Sequence, residues 1–484
     1  MSTSLLASEL ETALPTTLFR FATAGSVDDG KSTLVGRLLH DSKAILADQL
    51  DAVARTSADR GFGGSGATDA NGKQRIDLAL LTDGLRAERE QGITIDVAYR
   101  YFATDQRSFI LADCPGHVQY TKNTVTGAST ADAVVVLIDA RKGVLEQTRR
   151  HLSVLQLLRV AHVIVAVNKI DLVDFSESVF RGIQADVQRV ARELGIGSAE
   201  LGTADHIDDL LVIPVSALDG DNVVERSART PWYDGPALLE VLETLPAADE
   251  IDTQLESFRF PVQLVVRPQG ALAPDAVAAG LDVEAYRDYR AYAGQITEGS
   301  VKVGDSVSVL TPGQGPRTTT VTGIDFAGAS LQEAAAPQSV AIRLADEFDV
   351  ARGDTIAAAG PAGGRIPESS ADLYAALCWL SPKPLREGAK VLVKHGTRTV
   401  QALVRNVSGK LDLASFKLEA TSSLELNDIG HAQLRLAAPL PLENYSHHRR
   451  TGAFLVIDPL DGNTLAAGLV KDHPGDHEDE RYSI

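Results

Sequence analysis

The stretch Gly25-Ser26-Val27-Asp28-Asp29-Gly30-Lys31-Ser32 lies between an apolar run, Leu18 to Ala24, and a helical one that opens at Thr33 and runs to Leu39. Strand, glycine loop and helix in that order leave few folds open, because such a loop belongs at the carboxyl end of a strand in an α/β layer. A chain of phosphates needs backbone N–H donors that approach closely, and Gly25 and Gly30 keep Cβ atoms out of the way. Lys31 then reaches the outer phosphates. The Ser32 hydroxyl, at the start of the helix, can ligate Mg2+ while the N-terminal dipole favours the anion.

From Phe19 to about Leu245, buried-looking strands alternate with longer helical stretches, which predicts a mostly parallel sheet with helices on both faces. The runs Ser108 to Ala112, Ala133 to Ile138 and Val163 to Val167 each end on a polar residue, Asp113, Asp139 and Asn168. All three fall at the edge where the glycine loop lies. After Pro246 the strands become short and are punctuated by Gly and Pro. Phe258 to Val266, Ala291 to Ile296, Ser300 to Leu310, Thr318 to Phe326 and Ser339 to Leu344 fit a small closed β-barrel, interrupted by a surface insertion from Pro268 to Arg287. A second β-rich block runs from about Asp372 to Val470. The organisation expected is a tail (1–16), a nucleotide-binding domain (17–246), a linker (247–256), a barrel (257–360), a linker (361–370), a second barrel (371–471) and an acidic tail (472–484). The glycine-rich stretch between Ala58 and Lys73 reads as mobile.

Charge narrows the partners. Lys plus Arg number 46 against 65 Asp plus Glu, a net charge of −19, which argues against a surface built to hold nucleic acid. The two cysteines, Cys114 and Cys378, have no ligand spacing around them, so neither a disulfide framework nor a zinc site is expected. No signal peptide and no membrane-spanning run is evident, and a cytoplasmic location fits.

Behind its strand, Asp113-Cys114-Pro115-Gly116-His117 places a carboxylate near Mg2+, most simply through a water, and a glycine N–H near the γ-phosphate. The His117 imidazole could orient the attacking water. Asn168-Lys169-Ile170-Asp171 closes another strand, and the Asp171 carboxylate can accept from both N1–H and the exocyclic amine of guanine. Adenine N1 is itself an acceptor, and leaving a buried acceptor unpaired costs about 1–3 kcal/mol, enough for a tenfold or larger preference. The Lys169 stem can cover the base, and Asn168 can bridge to the phosphate loop. Ser216-Ala217-Leu218 ends a further strand, and a backbone N–H there can donate to guanine O6. Between phosphate loop and carboxylate turn, Gly92-Ile93-Thr94-Ile95 stands where a γ-phosphate sensor belongs, with Thr94 binding Mg2+ by its hydroxyl and the γ-phosphate by its N–H.

These five elements, in this order, resemble the translation-factor class of GTPases, an α/β P-loop domain followed by two small β-barrels. The loop with its Asp28-Asp29-Gly30, the stretch Asp77 to Asp96, the stretch Ala140 to His151 and the block Trp232 to Glu243 narrow the resemblance to the large GTPase subunits of bacterial sulfate adenylyltransferases. The resemblance implies a GTP and Mg2+ site with Lys31, Thr94 and His117 in catalytic roles. It also implies a small ATP sulfurylase subunit as partner, in a heterodimer or a larger assembly. That partner would form adenosine 5′-phosphosulfate and pyrophosphate from ATP and sulfate while this chain hydrolyses GTP. No second phosphate loop follows the barrels, so no kinase acting on the product is expected. Cys114 stands where the family pattern leads one to expect threonine. The competing reading is an elongation-factor-like GTPase carrying aminoacyl-tRNA, which would need a basic, salt-sensitive surface.

Overall fold

The computed structural model describes residues 17–42, 53, 57, 76–81, 96–117, 120–196, 210–248, 257–269, 271, 274–278, 280, 283–359 and 366–472. These fall into two compact units, one comprising residues up to Ala247 with Leu413–Phe416, the other the remainder from Ala248 onward. The stretch expected to be mobile, Thr94 and the tail from 473 lie outside the described residues.

The first unit is built on β1 (Leu18–Gly25), α1 (Lys31–Asp41), β2 (Ala98–Ala103), β3 (Ser108–Asp113), α2 (Thr121–Ser129), β4 (Ala133–Asp139), α3 (Glu146–Leu157), β5 (His162–Asn168), α4 (Glu177–Leu194), β6 (Leu211–Pro214) and α5 (Leu238–Thr244). The sheet order is β2-β3-β1-β4-β5-β6. All neighbours are parallel except β2, which runs antiparallel to β3 at the edge. Every residue of β4 is buried, as its unbroken apolar run requires of a central strand covered on both faces. α1 turns Leu34, Val35, Leu38 and Leu39 to the core at helical spacing. The connection from β1 leads to one side of the sheet, to β3, and the next to the other, to β4. That reversal opens a crevice beyond the carboxyl ends of these strands.

Edge strand β2 is not signalled by an apolar run. Its Tyr99 and Tyr101 are exposed and only Phe102 is buried, stacked on Phe109 at 4.8 Å between centroids.

The second unit holds both barrels. β7 (Arg259–Val266), β8 (Ala291–Gln295), β9 (Ser306–Leu310), β10 (Arg317–Phe326), β11 (Ser339–Leu344) and β12 (Thr355–Ala358) follow the order β9-β12-β7-β8-β11-β10, and β10 pairs back on β9 to close the cylinder. Closure leaves these strands no open edge among themselves. Phe260, Val262, Tyr292, Ile324 and Ile342 fill the interior. The run from Ser300 to Leu310, expected as one strand, is broken by a turn at 303–305: before it, Ser300–Lys302 pairs separately with Glu333–Ala335. Within the expected insertion, a short helix (Pro274–Ala278) and a 3-10 turn (Glu284–Tyr286) lie between β7 and β8.

The second barrel, from β13 (Glu368–Trp379), β14 (Lys390–His395), β15 (Arg398–Leu411), β16 (Ile429–Leu442), β17 (Ala453–Ile457) and β18 (Thr464–Lys471), closes in the order β14-β17-β18-β13-β16-β15 through pairing of β14 with β15. Its core includes Leu373, Leu377, Val393, Leu434 and Phe454. Where the two barrels meet, Arg259 is almost wholly buried and its Nη2 donates to Glu443 Oε1 at 2.7 Å.

Candidate functional site

The phosphate loop is held by its own backbone and by neighbours far along the chain. Asp29 Oδ2 accepts from the Ser26 N–H at 2.7 Å, which folds the loop back on itself, and burial raises the Asp29 pKa above the ordinary carboxylate value. Lys31 Nζ donates to the carbonyls of Gly25 (2.9 Å) and Ser26 (2.8 Å). Burial pushes the Lys31 ammonium below its usual pKa, with the charges of Asp113 and Asp29 opposing the shift. A cation removed from water in this way favours a nearby anion.

Gly30 caps α1 in the left-handed region (φ 91°), with no side-chain cap and no acidic residue in the first turn. Among the described residues no side chain caps the first-turn N–H groups, the condition a helix N-terminus needs to receive an anion. A Cβ at Gly116 would collide with Lys31 Nζ and with the backbone of Gly25 and Ser26, so the carboxylate turn approaches the phosphate loop as only glycine allows.

Asp113, at the end of β3, lies in register with Thr23 of β1, whose hydroxyl donates to Asp113 Oδ1 at 2.8 Å. The buried Ser26 Oγ and Asp29 Oδ1 have no hydrogen-bond partner among the described residues. Ser32 is half-buried at the first turn of α1. A helix start without acid, a desolvated ammonium and a glycine-lined approach fit a polyphosphate, and a hydroxyl with an aligned carboxylate fits a hard divalent cation.

Cys114 is fully buried, with its thiol pKa pushed up by burial and its Sγ 3.7 Å from the Ala112 carbonyl. It acts as a small core residue facing Gly127, not as a reactive group. Pro115 is buried beside it, whereas His117 is exposed, with its ring edge-on to Tyr120 at 6.0 Å between centroids.

Asn168 joins the two halves of the site. Its Nδ2 donates to the Asp29 carbonyl at 2.7 Å, and its Oδ1 accepts from the Ala217 N–H at 2.9 Å. The bridge to the phosphate loop is thus in place. The Ala217 N–H, one of the donors expected for guanine O6, is engaged by that same side chain. Lys169 adopts the left-handed conformation (φ 61°), and its Nζ donates to the Asp28 carbonyl and pairs with Asp139 Oδ2 at 3.0 Å. Burial disfavours the Asp139 charge, but hydrogen bonds from Arg141 and Lys169 outweigh it and hold the carboxyl well below its usual pKa.

Ile170 is buried and begins the 3-10 turn Ile170–Val173, which presents a half-buried Asp171. The Trp232–Tyr233 block stands behind that turn. Trp232 Nε1 donates to the Phe175 carbonyl at 3.1 Å, Phe175 N–H closes onto Ile170 O at 2.9 Å, and the Trp232 ring tilts against Phe180 at 5.2 Å.

Asp139 was already placed at this edge by its strand end, but Thr23, Arg141 and Arg37 of α1, whose buried guanidinium reaches the carbonyls of Ala217 and Leu218, were not legible in the motifs. A polar residue inside an apolar run, as Thr23 is, is the signal that finds the first of these.

The elongation factor Tu GTP binding domain family matches residues 16–250, and the GTP-eEF1A C-terminal domain-like family matches residues 372–471. Sulfate adenylyltransferase subunit 1 of Cellvibrio japonicus (strain Ueda107) is 44% identical over 453 residues, covering 94% of this chain and 86% of its own. The corresponding subunit of Aliarcobacter butzleri (strain RM4018) is 42% identical over 468 residues, covering 96% and 90%. The bifunctional enzyme CysN/CysC of Mycobacterium tuberculosis (strain ATCC 25618 / H37Rv) is 45% identical over 457 residues, covering 94% of this chain and 67% of its own. With the phosphate loop, the carboxylate turn and the base loop gathered on one sheet edge, and with identity of this extent running through both barrels, the chain belongs to the sulfate adenylyltransferase subunit 1 family of translation-factor-type GTPases.

Proposed function

We propose that this chain is the GTP-hydrolysing subunit of a sulfate adenylyltransferase, and that its hydrolysis drives a partner subunit to join ATP and sulfate into adenosine 5′-phosphosulfate and pyrophosphate. The observation that carries the nucleotide half is the double hydrogen bond of Asn168, which fixes the distance between phosphate loop and base loop. Kinship with subunit 1 proteins over 94% of the chain supports the sulfate half. GTP lies along the crevice, with the first-turn N–H groups of α1 and Lys31 on its phosphates, Asp171 on the N1 and N2 edge of guanine, and the Lys169 stem along the base.

Ser32, Thr94 and, through water, Asp113 would hold Mg2+, which when bound offsets the charge that builds on the phosphates in the transition state. Thr23 keeps the Asp113 carboxylate turned toward that position. His117 orients the attacking water after its ring turns in from Tyr120, and Thr94 with the Asp113 to His117 turn reports the loss of the terminal phosphate to the partner. The partner is a small nucleotidyltransferase subunit.

The test mixes this chain with that subunit and follows phosphate release from GTP. Hydrolysis rises when the partner, ATP and sulfate are all present, and a rate indifferent to their addition would overturn the coupling. Among the described residues no helix is long and apolar enough to cross a membrane.

A further inference from the structure

Guanine recognition needs a donor at O6, and the segment Ser216–Gly220 offers few. Its Ala217 N–H is taken by Asn168 Oδ1, its Asp219 N–H by Ser216 Oγ at 3.2 Å and its Gly220 N–H by the Ser216 carbonyl at 2.7 Å. Among the described residues, the Leu218 N–H alone in Ala217–Gly220 has no acceptor. That N–H shares a rigid peptide plane with the Ala217 carbonyl, and in a trans peptide the two point in opposite directions. Whatever grips the Ala217 carbonyl therefore aims the Leu218 N–H.

The group that grips it is Arg37. Its Nε donates to Ala217 O at 3.2 Å, and its Nη2 donates to Leu218 O, so one planar fork fixes the peptide planes on both sides of Leu218. Arg37 is buried, pairs with Asp41 at 3.5 Å one turn on, and lies against Gly220. It also sits on α1, the helix whose uncapped first turn directly follows the phosphate loop. We propose that Arg37 is a specificity-positioning residue: it hangs the O6-reading peptide of the base loop on the phosphate-binding helix, setting where the Leu218 N–H stands relative to bound guanine. In this role Arg37 acts through that peptide and not on the nucleotide itself. The proposal rests on the guanine-nucleotide reading above.

The experiment measures equilibrium binding of three nucleotides with Mg2+ to the full chain: GTP, 6-thio-GTP, whose sulfur is a weak acceptor at position 6, and inosine triphosphate, which keeps O6 and N1–H but lacks the 2-amine. In Arg37→Met, GTP and inosine triphosphate weaken together by about tenfold, while 6-thio-GTP weakens much less, so that the GTP to 6-thio-GTP preference collapses and the GTP to inosine preference stands. Arg37→Lys keeps the buried charge without the fork and gives the same pattern to a smaller degree, which serves if the methionine variant folds poorly. A merely structural arginine would weaken all three nucleotides alike, and that result would overturn the assignment. A wild-type chain that binds none of the three would overturn the nucleotide reading and this inference with it. A wild type that discriminates at position 6 while both variants keep its ratio would overturn the Arg37 assignment alone.

Discussion

At the seam between the barrels, Glu443 accepts from Arg259 through both oxygens, at 2.7 to 3.1 Å. Glu298 accepts from His448 Nδ1 at 2.7 Å and from the Thr451 N–H at 3.2 Å, and His448 Nε2 stands 3.4 Å from Glu443. At the sheet edge of the first unit, by contrast, Asp29 leaves one buried oxygen without a partner, Ser26 leaves its hydroxyl and Leu218 its N–H among the described residues. Both regions bury carboxylates beside a cation. In the seam each acid already has its counter-charge, whereas in the crevice the donors and acceptors are arranged with capacity left over.

The seam even offers two carboxylates and an imidazole whose ligand atoms lie within 4.8 Å of one another, a spacing that a metal could use. The Arg259 fork fills that need with a cation of the protein's own. Proximity of acids is thus a poor mark of a site; what marks the proposed nucleotide site instead is open hydrogen-bonding capacity at a strand-end crevice.

The contrast breaks if the seam tolerates loss of a partner. Arg259→Met leaves Glu443 buried without its main counter-charge and should cost the second unit about 3–5 kcal/mol in urea unfolding. The pair Arg259→Met with Glu443→Leu should recover most of that, since an apolar pair of similar volume replaces both charges together. Equal losses in single and double variants would show that the ion pair is not what matters there. In the crevice a substitution should instead move function and leave folding nearly intact. His117→Ala should lower kcat by roughly 100-fold with GTP affinity changed by about twofold or less, and parallel losses in both would remove the water-orienting role.

Asp171→Asn sharpens the comparison at the base end. It should shift preference from guanosine toward xanthosine triphosphate by roughly tenfold, read by competition, because the amide donates where the carboxylate accepted.

The smallest expected effect is one of pH. Burial opposes a charge on His448, but the hydrogen bond to Glu298 and the charges of Glu443 and Glu298 outweigh it against Arg259, so its pKa is raised. A base with a raised folded pKa stabilises fully below its unfolded value of 6.5 and loses that contribution as pH rises through the folded one. His395 bonds the Thr451 carbonyl, is lowered by burial, and works in the opposite sense by disfavouring the fold as pH falls. Melting temperature followed across this range should decline on the alkaline side in the wild type and flatten there in His448→Gln. An unchanged alkaline slope in the variant would remove His448 as its source.

The elements of the first unit follow from local pattern. β4 and β5 are apolar runs too long for a turn and too short for a helix, and α1 repeats its apolar residues at helical spacing. β2 is missed by the same logic, since an edge strand with exposed Tyr99 and Tyr101 carries no buried alternation until Phe102. The run from Ser300 to Leu310 misleads in the other direction, because its composition favours strand throughout while the turn at 303–305 divides it between two ladders. In the candidate site, each motif bears its proposed ligand chemistry on its face: Lys31 opens α1 after the glycine loop, Asp113 ends β3 and Asp171 follows the end of β5. Asn168 is legible as a bridge because an amide both donates and accepts. The engagement of the Ala217 N–H is not, since which backbone donor is consumed depends on where that amide comes to rest.

What the sequence determined alone is the order of the motifs and the kind of group each carries, because strand, loop and helix are set by neighbours a few residues apart. What the tertiary structure decided is which residues hold those groups in place. Arg37 finds its acceptors 180 residues away, and Arg259 its carboxylate 184 residues away. No local period encodes such pairs. They exist only after the sheet and barrels close, when burial removes water as an alternative partner and leaves each polar atom to find another.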